Sequence, residues 1–459
     1  MNHLRFLVLT IISSLALSIL STAVWASEAP VVTKYQVSVP EKYYVAYPGP
    51  NRQVFPRGFL TGYGSALAFK GISKDGVIEF YGLTDRGPNG DGPEYETPGG
   101  IFSSKFFPSP RFQPQIALIR IQGTKAEVTG VISLKDAKGR AITGLPLAPG
   151  LIGATNEIAL DETFHNLGYD NEGMDPEGLA IDSQGNFWIC DEYGPFIAQY
   201  NKAGKLLKKY APGKGLPEIM KYRTPNRGFE GLTLAPNGLI YAAEQSPLNL
   251  AGKAGATARF TRIVALDPQT GKTKMFAYPI DVAAYNSPND AKIGDIYAIS
   301  DSQFLVIEQG TDKGKQMRNL IYLVDIKGAT DLTGKSVSGK EPEYATTAAE
   351  LRQAGITLAT KRLVVDLRAL GWDREKAEGL TMLPDKRTIV VTNDNDFALS
   401  VDIKDAENKK AKVGNYVLHP DGSFTSKGKP AQPTIRIIPA EEDEKYQTIW
   451  FIKLPAALP

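Results

Sequence analysis

A Glu-Gly-Leu triplet occurs three times in the chain, beginning at Glu177, Glu230 and Glu378. Each triplet opens a short apolar segment, which a turn and a second apolar segment follow. The second segments end in acidic or amide side chains, at residues 187–192, 239–244 and 388–394. A unit that recurs with the same polar residues at its start and at its end is a structural repeat. The fold is therefore predicted to contain several copies of one strand pair.

Two further segments extend the repeat to five units. Residues 64–69 and 294–299 each precede a second segment that ends in acidic or amide side chains. Units are separated by more than 50 residues, for example by 53 between Glu177 and Glu230. Periods of about 40–50 residues with loop insertions indicate propeller blades. Two more strand-like segments after each pair give about four strands, the size of one blade.

The predicted fold class is therefore all-β, a β-propeller of four-stranded antiparallel blades. Five blades are legible, and the segments 31–55 and 435–454 could supply a sixth. No boundary between two domains is evident, so residues 27–459 are predicted to form a single domain. We also predict a helix within 343–354, inserted into the fourth unit, and a long loop over 85–110 that covers one face of the ring.

Composition excludes several classes of function. The 459 residues include 52 basic and 50 acidic side chains, for a net charge of +2, which gives no electrostatic reason to bind nucleic acid. One cysteine allows no intrachain disulfide, and His165 is the only histidine between His3 and His419, which argues against a metal site of several histidines. No Gly-x-Ser-x-Gly motif is present, which argues against a serine hydrolase.

The first 26 residues read as a signal peptide. A weakly positive start precedes an apolar run of about 15 residues and a small-residue cleavage site before Ser27. The alternative is an uncleaved membrane anchor, but the run is short for a span of roughly 20 residues. The sequence predicts an exported protein, periplasmic or secreted, without a transmembrane segment in its mature chain.

The repeated glutamates predict a site. The innermost strands of a propeller line its central channel, so Glu177, Glu230 and Glu378 are expected to meet at the channel mouth. Neighbouring carboxylates repel one another unless a cation balances them, and Ca²⁺ prefers such oxygen ligands. The metal-binding set predicted here consists of the following carboxylates: Asp85, Asp175, Glu177, Asp191, Glu230, Glu378 and Asp394. The alternative is that each glutamate only caps backbone amides between blades.

Two arginines follow the same motifs. Arg86 comes directly after Asp85, and Arg227 precedes the second triplet. Cations mixed with carboxylates can hold a phosphate, either directly or through a metal. The predicted catalytic residues are therefore Glu177, Glu230, Glu378, Arg86 and Arg227. The alternative is a solvated rim of ordinary salt bridges.

As a set, these motifs resemble the phytase-like family, described as having esterase-like activity of phytase. The resemblance spans about residues 58–400 and implies an exported β-propeller that hydrolyses a small phosphoric ester with Ca²⁺. Competing interpretations are a binding propeller without catalysis and a Ca²⁺-dependent propeller lactonase or esterase. The matching segments are YGLTDRGP at 81–88, DPEGLA at 175–180, WICDEYGP at 188–195, NRGFEGL at 226–232, KAEGL at 376–380 and NDNDF at 393–397.

Overall fold

The computed structural model describes residues 29–252 and 254–459. The regular structure of these residues is almost entirely β-strand, as the sequence predicts. The predicted signal peptide, residues 1–26, lies outside the described residues. None of the helices in the described part of the chain is long and apolar enough to cross a membrane.

Within residues 29–252 and 254–459, five sheets of at least four strands surround a common centre, named first to fifth in chain order. The first sheet contains Ala66–Ile72, Ile78–Leu83, Gln115–Gln122 and Lys125–Ser133. The second contains Pro176–Ile181, Phe187–Asp191, Phe196–Tyr200, Leu206–Pro212 and the short Gly215–Leu216. The third contains Phe229–Leu234, Ile240–Glu244, Phe260–Leu266 and Thr273–Pro279. The fourth contains Lys292–Ala298, Gln303–Thr311, Met317–Asp325 and Thr360–Asp366. The fifth contains Gly379–Met382, Thr388–Thr392, Thr448–Lys453 and Val31–Ser38.

The first strands of neighbouring sheets contact one another around a closed ring. In each of the first four sheets the four long strands run antiparallel in a simple meander, and the strands of the fifth are also antiparallel, so the predicted propeller is confirmed. The fifth sheet combines both terminal segments, because Val31–Ser38 pairs antiparallel with Thr448–Lys453. Val31–Ser38 also makes a short parallel pairing with Lys125–Ser133 of the first sheet. Of the two terminal segments that could have formed a sixth unit, the strands Val31–Ser38 and Thr448–Lys453 therefore belong to the fifth sheet, whereas Thr434–Pro439 lies outside it.

The glycine of the triplet lets adjacent inner strands approach closely. A Cβ atom on Gly178 would lie 2.5 Å from the Leu232 amide nitrogen of the next sheet. A Cβ on Gly231 would lie 2.6 Å from Asp295 Cα of the sheet after that. These distances are too short for any side chain, so the converging inner strands require glycine here.

Apolar clusters between neighbouring sheets hold the ring together. One cluster joins Trp188 of the second sheet, Val264 of the third and Leu351 of the helical insertion. Fully burying a side chain of this kind contributes about 1.5–3 kcal/mol. Stability therefore depends on sheet-to-sheet contacts that no single sheet can make alone.

The predicted helical insertion in the fourth unit is present but shorter than predicted. The α-helix Ala348–Gln353 begins after Thr347, whose side chain accepts a hydrogen bond from the Glu350 amide in a capping box. Single 3₁₀ turns make up the other helical elements of the described residues. They are Glu41–Tyr43, Glu218–Tyr222, Leu250–Gly252, Ala254–Ala256, Pro288–Asp290, Pro342–Tyr344, Arg368–Leu370, Asp396–Ala398 and Val413–Asn415.

A small cap of short strands stands on one face of the ring and has its own aromatic core around Phe59, Phe106 and Phe397. The segment 85–110, predicted as a loop, contributes four of these strands, because it pairs with distant parts of the chain. One cap sheet contains Gly90–Asp91, Ser104–Phe106 and Ile158–Leu160. A second contains Glu94–Thr97, Gly100–Phe102, Tyr416–Leu418, Phe424–Ser426 and Lys429–Ala431. A third contains Leu399–Lys404 and Thr434–Pro439.

Candidate functional site

A cleft of about 1110 Å³ lies between the ring and the cap, on the face where the first strands begin. Glu177, Glu230 and Glu378 all line it, although each is at least nine-tenths buried. The cap forms one wall through residues that include Leu399, Val401 and Val413. The remaining charged or amide side chains of the wall include Asp85, Arg86, Lys105, Glu192, Arg227, Gln245, Lys292, Gln309, Lys376, Asp396 and Lys412.

Irregular strand starts direct the glutamates into the cleft. Pairing with the second strand shifts register between Pro176 and Gly178, which leaves Glu177 as the extra residue of a β-bulge. Glu230 occupies the same bulge in the third sheet, where the register shifts between Phe229 and Gly231. Bulges of this kind re-aim side chains beside functional sites. They explain why a glutamate in an inner strand faces the cleft.

The glutamate position is not acidic in every sheet. Gly294 takes the bulge position in the fourth sheet, and Ser65 directly precedes the first paired residue, Ala66, of the first sheet. Glu378 directly precedes the first paired residue of the fifth sheet, and its amide donates to the Thr392 carbonyl over 3.1 Å. The acidic positions are therefore confined to three of the five sheets.

The ends of the second strands add a further layer of polar groups to the cleft. Asp85, Glu192 and Gln245 follow the second strands of the first three sheets, Gln309 lies near the end of the second strand of the fourth, and all four line the cleft. The residue before each of the last three points away, because strand neighbours face opposite sides. For example, Glu308 accepts a 2.7 Å hydrogen bond from the Tyr278 hydroxyl instead.

Asp191 does not join the other predicted metal ligands. Its carboxylate accepts hydrogen bonds from the amides of Asp175 at 3.2 Å and Tyr193 at 2.9 Å, and it borders a separate small void. Asp191 is therefore not among the residues that line the cleft, and its part in a metal site stays a prediction. Glu192, the residue directly after the strand, lines the cleft instead, because neighbouring side chains along a strand face opposite sides.

The first of two carboxylate groups is called the Arg86 group and consists of Asp175, Glu177, Glu192 and Arg86. One oxygen from each of the three carboxylates lies within 4.8 Å of the others. The Arg86 guanidinium contacts Asp175 and donates to Glu192 over 3.0 Å. It also donates to Asn226 at 2.9 Å and lies 3.5 Å from Glu157. Arg86 is thus surrounded by acceptors from several connecting segments and is only 7% exposed.

The second group is called the Lys376 group and consists of Asp85, Asp394, Asp396 and Lys376. Its three carboxylates also bring one oxygen each within 4.8 Å of the others. The Lys376 ammonium donates to Asp396 at 2.9 Å and to Asp394 at 3.3 Å. The Lys376 side chain keeps 37% of its surface exposed, in contrast to Arg86.

Burial and mutual repulsion shift the acidity of both groups. Burial, followed by the nearby charges of Asp175 and Glu230, raises the pKa of Glu177 well above its usual range. Burial also raises the pKa of Glu192 to about 8 and that of Asp394 to about 8. These carboxyls hold protons more tightly than free ones, and a bound cation would favour their ionised forms.

Arg227 lies on the wall formed by the third sheet. Its guanidinium donates to the Asn289 carbonyl at 2.7 Å and to the Ser246 hydroxyl at 3.2 Å, which fixes its direction. Nearby, Glu230 has one carboxylate oxygen that is buried and accepts no hydrogen bond from the described residues. The third sheet therefore brings a fixed cation and an unpartnered acceptor to the same cleft.

Lys376, Glu192 and Asp396 are cleft residues that the sequence prediction did not select. Lys376 stands two residues before Glu378, and Asp396 two after Asp394, so the motifs contained the signal. The ion pairs between them join segments that are separate in sequence. Only the three-dimensional structure shows that these charges meet.

Comparisons with known proteins identify relatives in sequence and in structure. An uncharacterised secreted protein from Arthroderma benhamiae is 24% identical over 344 residues, which make up 60% of this chain and 64% of that protein. The chain thus spans less than two thirds of that relative's length. Two solved structures are similar in fold. A protein from Lactobacillus plantarum is 12% identical and covers 86% of this chain and 90% of its own, with a TM-score of 0.33. Virginiamycin B lyase from Staphylococcus aureus is 10% identical and covers 93% of this chain and 99% of its own, with a TM-score of 0.29.

TM-scores this low carry no information about activity. The family comparison is more direct, because residues 102–397 match the model of the Phytase-like family, described as esterase-like activity of phytase. That match covers more than half of the 459 residues and includes all three triplets. On this evidence the protein with the three-glutamate cleft belongs to the phytase-like family.

Proposed function

We propose that the cleft hydrolyses a phosphoric ester with the help of a divalent cation such as Ca²⁺. The observation that carries the proposal is the convergence of Glu177, Glu230 and Glu378, from three separate sheets, on one cleft that also contains arginine and lysine. Burying this many carboxylates is costly unless they have counter-charges. A site that binds both a cation and an anionic ester supplies those charges.

The residues present fit such a cation. The Arg86 group offers only carboxylate oxygens, the ligand type that Ca²⁺ prefers. Within the described part of the chain, Glu177 makes no hydrogen bond or ion pair, and one oxygen of Glu230 is unpartnered. Asp175, Glu177 and Glu192 would hold the ion, which when bound would polarise a phosphoryl oxygen and acidify a water molecule.

The chain's own residues have distinct parts in this proposal. Arg86 holds the carboxylates of Asp175 and Glu192 in place through direct contacts. Arg227, fixed by Asn289 and Ser246, presents its charge to the ester and stabilises negative charge that develops in the transition state. Its hydrogen bonds to the protein leave part of the guanidinium fork for the ligand.

Glu230 is the candidate for proton transfer to the leaving oxygen. Burial, and then the charges of Glu192 and Glu378, raise the pKa of its carboxyl well above the usual range. A carboxyl that keeps its proton at neutral pH can act as a general acid. Its position on the cleft wall places this proton on the same side as Arg227.

The test is a hydrolysis assay of the purified protein on p-nitrophenyl phosphate, phytate and a lactone, with Ca²⁺ and with a chelator. We expect phosphate-ester turnover that the chelator abolishes and that the triple variant Glu177→Gln, Glu230→Gln, Glu378→Gln lacks. Glu218→Gln, at an exposed glutamate outside the cleft, is the matched control. Equal turnover by the triple variant, or activity on the lactone alone, would refute the proposal.

A further inference from the structure

The Lys376 group already contains a positive charge among its carboxylates. The Lys376 ammonium lies 2.9 Å from Asp396, 3.3 Å from Asp394 and 3.8 Å from Glu378. These oxygens come from a residue just before the first strand of the fifth sheet and from two residues just after its second strand. The carboxylates of this group lie as close together as those of the Arg86 group. In chemical terms the two groups would be equivalent cation sites if lysine were absent from one of them.

The hydrogen bonds of Lys376 leave part of its donor capacity unused. A lysine ammonium has three N–H donors. Two of them are used for Asp394 and Asp396, and the 3.8 Å distance to Glu378 is too long for a third hydrogen bond. The side chain is 37% exposed and lines the cleft. One donor is consequently available to an anionic oxygen that enters the cleft.

Arg86 differs in burial. Its guanidinium is 7% exposed, and Asp175, Glu192 and Asn226 all accept hydrogen bonds or ion pairs from it. Its Nη1 atom has no hydrogen-bond partner among the described residues but is buried. Each cation contacts two of the three carboxylates of its group and offsets one negative charge, so the two groups differ mainly in how far the cation is exposed to the cleft.

We propose that the Lys376 ammonium occupies the cation position of the second carboxylate group and that its remaining N–H binds an anionic oxygen of the ligand. The cleft then contains one exchangeable metal position and one fixed organic cation, instead of two metal positions. The catalytic meaning of this assignment rests on the proposed function, but the assignment itself concerns only cation and anion binding.

The number of Ca²⁺ ions bound per chain tests whether Lys376 occupies a cation position, and this measurement requires no catalytic activity. Equilibrium dialysis and calorimetric titration with CaCl₂ should show one more bound Ca²⁺ per chain in Lys376→Met than in the wild type. Lys105→Met is the matched control, since Lys105 lies in the same cleft but pairs only with the exposed Asp91. Lys376→Arg keeps the charge, so its count should equal that of the wild type. Equal counts for Lys376→Met and the wild type would overturn the assignment.

Inorganic phosphate tests the second half. A hydrogen bond to a charged group has a net value that corresponds to about tenfold or more in affinity. We therefore expect Lys376→Met, in the presence of a chelator, to bind phosphate at least tenfold more weakly than Lys105→Met does under the same conditions. Unchanged phosphate affinity contradicts the proposal. If Lys376→Met is unfolded without metal, Ca²⁺ should restore its folded circular dichroism spectrum, and failure to do so in millimolar Ca²⁺ also overturns it.

The two results separate this inference from the proposed function. If the wild-type protein hydrolyses no ester, the proposed function is refuted. The difference in the number of bound Ca²⁺ ions between Lys376→Met and the wild type is still expected in that case. Conversely, a fully active phosphoesterase with no such difference refutes only the role of Lys376.

Discussion

The Arg86 and Lys376 groups are built from the same parts and differ in how the cation is held. Each brings three carboxylate oxygens within 4.8 Å and adds one basic side chain. Arg86 is buried and contacts acceptors from several connecting segments, whereas more than a third of the Lys376 side chain is exposed. A buried cation with many partners fixes a structure, and an exposed one with spare donors can meet a ligand. The comparison therefore assigns mainly scaffolding to one side of the cleft and mainly binding to the other.

The largest expected effect is the loss of the buried cation. Arg86→Met leaves Asp175 and Glu192 buried without their counter-charge, which costs about 3–5 kcal/mol of the free energy of unfolding. Urea denaturation in the presence of a chelator measures it. Arg57→Met is the control, because the exposed Arg57–Glu41 pair is worth at most about 1 kcal/mol. A loss no larger than the control's would mean that Arg86 is not a scaffolding residue.

The pH dependence is the second effect. Glu192 and Asp394, one from each group, have pKa values of about 8 in the folded protein, above their unfolded values of 4.5 and 3.8. The folded state then binds more protons, so its stability is highest below about pH 4 for these groups and falls as the pH rises through 8. We expect the metal-free protein to lose stability between pH 5 and pH 9, measured by urea denaturation. Stability that rises over this range would contradict the burial of both carboxyls.

The third effect is the loss of the exposed cation. Lys376→Met should destabilise the chelated protein by about 2 kcal/mol, less than Arg86→Met, because solvent screens the partly exposed ammonium. Thermal unfolding with and without Ca²⁺ measures the difference between the variants. If Lys376→Met is the more destabilising of the two, the division between a scaffolding side and a binding side fails.

The smallest effect is expected at the edge of the Lys376 group. Asp396 has a half-exposed side chain, so Asp396→Asn should change the free energy of unfolding by less than about 1 kcal/mol. Asp394→Asn, at a side chain that is 3% exposed, replaces a buried carboxyl group beside the same lysine and gives the comparison. Urea denaturation of both variants at pH 7 measures their free energies of unfolding. A larger loss in Asp396→Asn than in Asp394→Asn would contradict the placement of Asp396 at the exposed edge of the group.

Much of the ring could be predicted from the sequence because its signals are local. The triplet marks the start of an inner strand, its glycine is required by the close approach of the next sheet, and the hairpins that follow are short. The convergence of Glu177, Glu230 and Glu378 follows from the repeat alone. The bulge that turns the first two toward the cleft has no separate sequence signal.

The parts that could not be predicted depend on distant pairings. The strands of the cap are two to six residues long and pair with segments far away in sequence, so 85–110 reads as a loop. The choice between Asp191 and Glu192 required the strand register, which a single residue reverses. The contacts of Lys376 with Asp394 and Asp396 were not predictable, because no spacing rule connects those segments.

The pairing of Val31–Ser38 with Thr448–Lys453 has a consequence for the order of folding. The strand Val31–Ser38 cannot find its antiparallel partner until residues 448–453 have been made. Four sheets can form in succession as the chain emerges, but the ring stays open until its two ends meet. Closure is thus a late, long-range event, and such contacts form slowly. Until that moment the apolar flanks of the first and fourth sheets remain unprotected, which makes the unfinished chain a natural substrate for chaperones.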